Sequence, residues 1–177
     1  NDTATQTTPL VLVSGISKKL TNDALGAFTD LSQAPYGVPN VWNATNNQFD
    51  FSDLSIGDTI DLRVDTSLTT TGTNKTYKIY LKLGVDTPSE FTTLVGSGEL
   101  KTAVTDENIV HEVSFYIGNE YVRDAKGILL FLVDTSGSLK VNGWYTRIIR
   151  KGLNVIDIKE GALLNDPTTY SPATLPL

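Results

Sequence analysis

"GDTIDLRVDTSLTTTGTNKTYKIYLKLG", residues 57–84, is two alternating runs joined by a Thr-, Gly- and Asn-rich loop. In the first, Ile60, Leu62, Val64 and Leu68 share one parity, and Asp61, Arg63 and Asp65 share the other. In the second, Tyr77, Ile79, Leu81 and Leu83 oppose Lys78, Tyr80 and Lys82. Side chains along a strand alternate between its faces, so each run reads as a half-buried strand. Together they predict an antiparallel hairpin with strands near 58–68 and 76–84. The register that keeps both apolar sets on one face pairs Leu62 with Leu81 and Val64 with Ile79. It also sets Asp61 opposite Lys82, Asp65 opposite Lys78 and Arg63 opposite Tyr80. Opposite charges facing across strands contribute about 0.2 to 1 kcal/mol each and help to fix register. On this reading Leu62, Val64, Ile79 and Leu81 are buried and Lys78 and Lys82 exposed. The charged face follows from folding and needs no ligand.

Outward from this hairpin the pattern from Phe49 on is strand, turn, strand. "EFTTLVG", "GELKTAVT" and "IVHEVSFYIG" follow, and in the last of these His111, Val113, Phe115 and Ile117 share one parity. "GILLFLVD", 127–134, is a continuous apolar run, the pattern of a strand covered on both faces. "SLKVNGWYTRIIR" carries Asn142-Gly143 at its centre, a tight turn or a bulge. "GLNVIDIKEG" reads as a final strand. Eight to ten short strands with regular turn signals predict an all-β antiparallel sandwich or jelly roll with little helix. The best helical candidate is "SKKLTNDALGAF", with Leu20, Ala24 and Phe28 spaced by fours and Gly26 weakening it. "QAPYGVPNVWN", with two prolines and a glycine, predicts an irregular connection.

Three parts are expected: an N-terminal arm over 1–13, a jelly-roll domain over 14–164 that is strand-rich from about 49, and an extended tail over 165–177. The arm reads as flexible and polar over 1–9 and, in "LVLV", 10–13, as a short strand or an apolar anchor; the tail holds Pro167, Pro172 and Pro176. Leu10, Val11, Leu12 and Val13, with Leu175 and Leu177, are the candidate subunit or capsid contacts.

At 177 residues the chain can bury roughly 70% of the surface exposed when unfolded, so a core needs no disulfide or metal. The formal net charge of -6 disfavours nucleic acid as a partner. No apolar stretch approaches the ~18 residues of a membrane span, and the opening "NDTATQTTPL" lacks a signal-peptide pattern. The absence of Cys removes thiol chemistry and Cys-ligated zinc. His111 is the sole histidine. A Ser-His-Asp triad would have to use it, and no G-x-S-x-G elbow is present, so it is read as a packed, hydrogen-bonded core residue. Neither a calcium loop nor a phosphate loop appears. Asp50 and Asp53, Asp61 and Asp65, and Asp106 and Glu107 lie close in sequence and are read as wet-face and turn residues rather than glycosidase pairs. Trp42, Trp144 and Tyr145 could stack on a sugar but are read as core or interface aromatics. No catalytic residue, cofactor or metal site is expected.

The succession "FDFSDLSIGDTIDLRVD", "KTYKIYLKLG", "VSFYIG", "GILLFLVD" and "VNGWYTRIIRKG" resembles the compact jelly-roll proteins of tailed bacteriophages, distant relatives of the tumour-necrosis-factor and complement C1q heads. The resemblance covers about residues 40–158 and rests on strand rhythm and Gly-Asp turns. It implies a structural virion protein: a homotrimeric capsid decoration, or cement, protein on the phage head, made in the host cytoplasm. Its partners would be itself and the major capsid protein or other virion proteins, with no nucleic acid and no membrane. The alternative it implies is a tail-fibre tip or other receptor- or glycan-binding module; a glycan-cleaving enzyme is the least favoured reading.

Overall fold

The computed structural model describes residues 1–27, 29 and 40–151. Within them the alternating runs build an antiparallel β-sandwich. The strands are β1 (Leu10–Leu12), β2 (Lys18–Lys19), β3 (Trp42–Asn43), β4 (Gln48–Asp50), β5 (Thr59–Thr70), β6 (Lys75–Val85), β7 (Phe91–Leu100), β8 (Val104–Tyr116), β9 (Lys126–Val133) and β10 (Gly137–Ile149). One sheet has the order β1-β10-β5-β8; the other runs β3-β4-β9-β6-β7, with β2 pairing a second stretch of the β9 edge. Among the described residues helix is confined to α1 (Ala4–Thr7) and α2 (Glu120–Asp124). Among the described residues no helix is long and apolar enough to cross a membrane.

The two runs of residues 57–84 are strands with the expected inward faces: Leu62, Val64, Ile79 and Leu81 are all buried. They do not form a hairpin. β5 pairs with β10 and β8, whereas β6 pairs with β7 and β9. Residues 71–74 carry the chain from one sheet to the other. A period of two specifies which face of a strand is inward but not which strand lies beside it, and two runs facing one core satisfy it from opposite sheets. The expected charge pairs therefore dissolve. Asp61 meets Arg147, Asp65 meets Arg63 on its own strand, and Lys82 is half-buried against Glu90 at 2.8 Å. Lys78 is exposed as expected.

Other expectations are corrected in the same way. "EFTTLVG" and the start of "GELKTAVT" form one strand, β7, with the turn at 101–103. "GILLFLVD" alternates between buried and half-buried positions: one face is in the core and the other is only partly covered. Asn142-Gly143 is a bulge, not a turn. Val141 pairs with Thr66 and Trp144 with Val64, and Gly143 sits at φ 143°. Val141 and Trp144 are three apart, so an unbroken strand would send them to opposite faces; the extra residue brings both inward. The candidate helix "SKKLTNDALGAF" contains β2 and an irregular segment in which Ala24 has φ 56°. The reason is burial: Leu20 and Asn22 are enclosed, and Asn22 accepts from the backbone N–H of Ala24 and from the Trp42 indole through its own carbonyl. The last expected strand, 152–161, the tail, 165–177, and most of "QAPYGVPNVWN" lie outside the described residues.

Residues 1–9 are packed, not a free arm. Asp2 and Thr5 are 3% and 2% exposed. The Thr5 hydroxyl donates to Asp2 and accepts from the Val141 backbone N–H at 2.8 Å, while Gln6 donates to the Val141 carbonyl. The segment thus occupies the backbone groups that the β10 bulge frees. Asp23 holds it from the far side, accepting from the backbone N–H groups of Thr3 and Ala4 at 2.9 Å each. Ala4 opens α1, and Thr3 is its N-cap residue, whose own side chain makes no capping bond.

The core lies between the sheets. At one end Trp42, Phe49 and Phe51 meet Trp144 and Phe115, with the two indoles 4.3 Å apart edge to face. At the other, Tyr77 stacks on Phe131 at 5.8 Å. Each fully buried Leu, Ile or Phe here contributes about 1.5 to 3 kcal/mol before ordering costs.

Candidate functional site

Two surfaces stand out, and β8 belongs to both. The first is the open side of the sandwich. Among the described residues β7 ends one sheet and β8 ends the other, and the turn at 101–103 joins them, so two edges that no described strand pairs lie together. His111 closes the gap between them. It projects inward from β8, and its Nε2 lies 3.2 Å from the Tyr77 hydroxyl. Gly96 and Gly98 make room: a Cβ on Gly96 would stand 2.1 Å from His111 Cγ, and one on Gly98 2.5 Å from the Tyr77 hydroxyl. Burial, helped by the charge of Glu107, pushes the Tyr77 phenol up, so it stays a hydroxyl. On the edge strand β7, Phe91 and Leu94 are exposed; Val110 and Tyr116 of β8 are exposed too, on the outward parity they share with Glu112 and Ser114.

The second surface is the outer face of the four-stranded sheet, an open depression of about 340 Å³ across β10, β5 and β8. Register builds it from two rows: Arg147–Asp61–Ser114 and Tyr145–Arg63–Glu112. Asp61 accepts from Ser114 Oγ at 2.6 Å and from Arg147 Nε at 2.8 Å. The Ser114 and Arg147 hydrogen bonds hold its carboxyl below the usual range. Arg63 turns to Asp65, at 3.1 Å, which leaves Glu112 without an ion-pair partner among the described residues. Tyr145 is 62% exposed beside them.

The residues singled out from sequence are distributed as follows. Trp42 and Trp144 belong to the core, whereas Tyr145 is on the surface. Leu10 and Leu12 turn toward the core as part of β1, Val11 and Val13 are exposed, and Leu175 and Leu177 lie outside the described residues. Asp50 and Asp53 both line a smaller depression of about 250 Å³. There burial pushes Asp50 up, but hydrogen bonds from Lys126 and Ser52 outweigh it and leave the carboxyl low. Asp106 pairs with Lys140 at 2.9 Å. Among the described residues no three His, Cys, Asp or Glu side chains gather as metal ligands. Glu112, Ser114 and Arg147 went unmarked in the sequence. Their outward parity was readable, but their convergence on Asp61 depends on β5 lying between β8 and β10.

No protein-family model matches the chain, and no curated protein matches it.

Proposed function

We propose that the chain is a structural, non-catalytic virion protein: a homotrimeric decoration protein that binds the major capsid protein on the surface of a phage head. The observation that carries this reading is the open side of the sandwich. A long edge strand presents unpaired backbone groups, and monomeric proteins blunt such edges with Lys, Pro or inward charge. β8 carries Asp106, Glu107 and Glu112, whereas β7, Phe91–Leu100, has no proline and one charged residue, Glu99, with Phe91 and Leu94 exposed. A surface of that kind is suited to coverage by another chain.

Strand order adds support for a jelly roll. With the two-residue strands β2 and β3 set aside, the remaining eight strands run first-eighth-third-sixth in one sheet and second-seventh-fourth-fifth in the other. That is the order produced when a long antiparallel hairpin wraps around a barrel, an architecture frequent in viral capsids. Fold alone does not assign a role, so the test is location. An antibody to this chain should label the heads of purified phage particles in electron micrographs, at regular positions. Label on tail fibres only, or on no particle, overturns the reading.

A further inference from the structure

We propose that the outer face of the four-stranded sheet is a subsite for a neutral saccharide, with the Tyr145 ring as its stacking platform and Arg63, Glu112, Ser114 and Arg147 as partners for sugar hydroxyls. The site is separate from the open side of the sandwich, and a single chain carries it whole, so it stands or falls independently of the assembly.

The chemistry follows from the two rows. Four charged side chains line the depression, Asp61 and Glu112 against Arg63 and Arg147, and their charges cancel. An anion drawn to either arginine would meet a carboxylate, and a cation drawn to Glu112 would meet a guanidinium. A neutral ligand with many hydroxyls satisfies both signs at once, because each hydroxyl donates and accepts. The positions are fixed before any ligand arrives. All five polar residues stand on three adjacent strands, and Asp61 holds Arg147 with Nη2 at 2.5 Å and Ser114 with Oγ at 2.6 Å. The guanidinium keeps its remaining donors for solvent or ligand, with 63% of the side chain exposed. Glu112, lacking an ion-pair partner among the described residues, is the open acceptor. Tyr145 supplies what a merely wet sheet face lacks: a large ring, 62% exposed, directly beside these groups. The volume, about 340 Å³, is at the small end of ligand sites, which limits the occupant to a short saccharide or one end of a chain.

Binding is the role assigned: Asp61 is engaged in holding Ser114 and Arg147 in place on the sheet.

The test uses the full chain with lactose, maltose, cellobiose and chitobiose as probes, read by saturation-transfer NMR, with a sulfated disaccharide as the charged control. At least one neutral probe should receive saturation at its ring protons. Tyr145→Ala and Glu112→Gln should each weaken that probe's binding about tenfold, roughly what one lost stacking or charge-assisted contact is worth. Tyr121→Ala, which removes another exposed tyrosine, should leave it unchanged. Glu112→Gln is a conservative surface change and reports even if Tyr145→Ala folds poorly. Transfer to none of the four neutral probes, transfer indifferent to both variants, or preference for the sulfated probe each overturns the proposal. Sedimentation of the same samples reads the assembly separately.

Discussion

Gly96 and His111 form a matched pair across the two sheets, and each explains the other. The imidazole needs the space that a missing side chain leaves, and the glycine needs a ring above it to exclude water from the sandwich edge. With a Cβ placed 2.1 Å from His111 Cγ, the ring base must move, and overpacking of this kind costs about 1 to 3 kcal/mol. Gly96→Ala should therefore lower stability by that amount in urea unfolding. In a His111→Ala background the same change should cost much less, because the clash is gone. Equal costs in both backgrounds would show that the ring does not rest on Gly96. At this scale the sequence was partly legible. The spacing of His111, Val113, Phe115 and Ile117 marked the histidine as inward, and it is half-buried with one hydrogen-bond partner. The glycine slot was not legible, because it is made by residues of β7 and β8 that meet only when the sheets stack.

Individual strands were legible as elements while their neighbours were not. Alternation marked the inward faces of β5, β6 and β8 residue by residue, yet β5 and β6 belong to different sheets. Their pairing partners are set by how the whole sandwich closes, which no local period encodes. The chain has no cysteine, so the pairing can be read chemically. Asp61→Cys with Arg147→Cys, facing residues of β5 and β10, should form a disulfide under mild oxidation. Asp61→Cys with Lys82→Cys, the pair a hairpin would join, should not; the reverse outcome restores the hairpin. The N-terminal segment was misjudged for a related reason. "NDTATQTT" has no apolar period, but its polar groups pair with the β10 bulge and with Asp23. Burial pushes the Asp23 carboxyl up, but hydrogen bonds from Thr3, Leu25 and Ala4 outweigh it and hold it well below the usual carboxylate range. A depressed folded pKa gives stability that is fully present above the unfolded value, near ~3.9, and lost as pH falls through the folded one. The amides of Thr3 and Ala4 should thus be protected from hydrogen exchange at neutral pH and lose protection on acidification below about pH 4, earlier than those of β5. Unchanged protection there would mean that Asp23 does not hold the segment.

Among the described residues the molecule is a sandwich closed by rings on the inside, with no described strand paired along the outer edge of β7. Composition and strand rhythm were enough to identify an all-β sandwich, because buried alternation and turn spacing are properties of the chain itself. The open side was not legible, since it depends on which strands finish at the edges. That side carries the central claim, that the chain works as an assembly. The most direct measurement is sedimentation equilibrium of the full chain and of Leu94→Lys. Leu94 is 49% exposed, so the substitution should leave the fold intact while placing a charge on the edge strand β7. The account predicts a species of three times the 19.2 kDa chain mass for the parent protein and a shift toward the single chain for the variant. A parent protein that stays a single chain at every concentration, or a variant that assembles as the parent does, would contradict it.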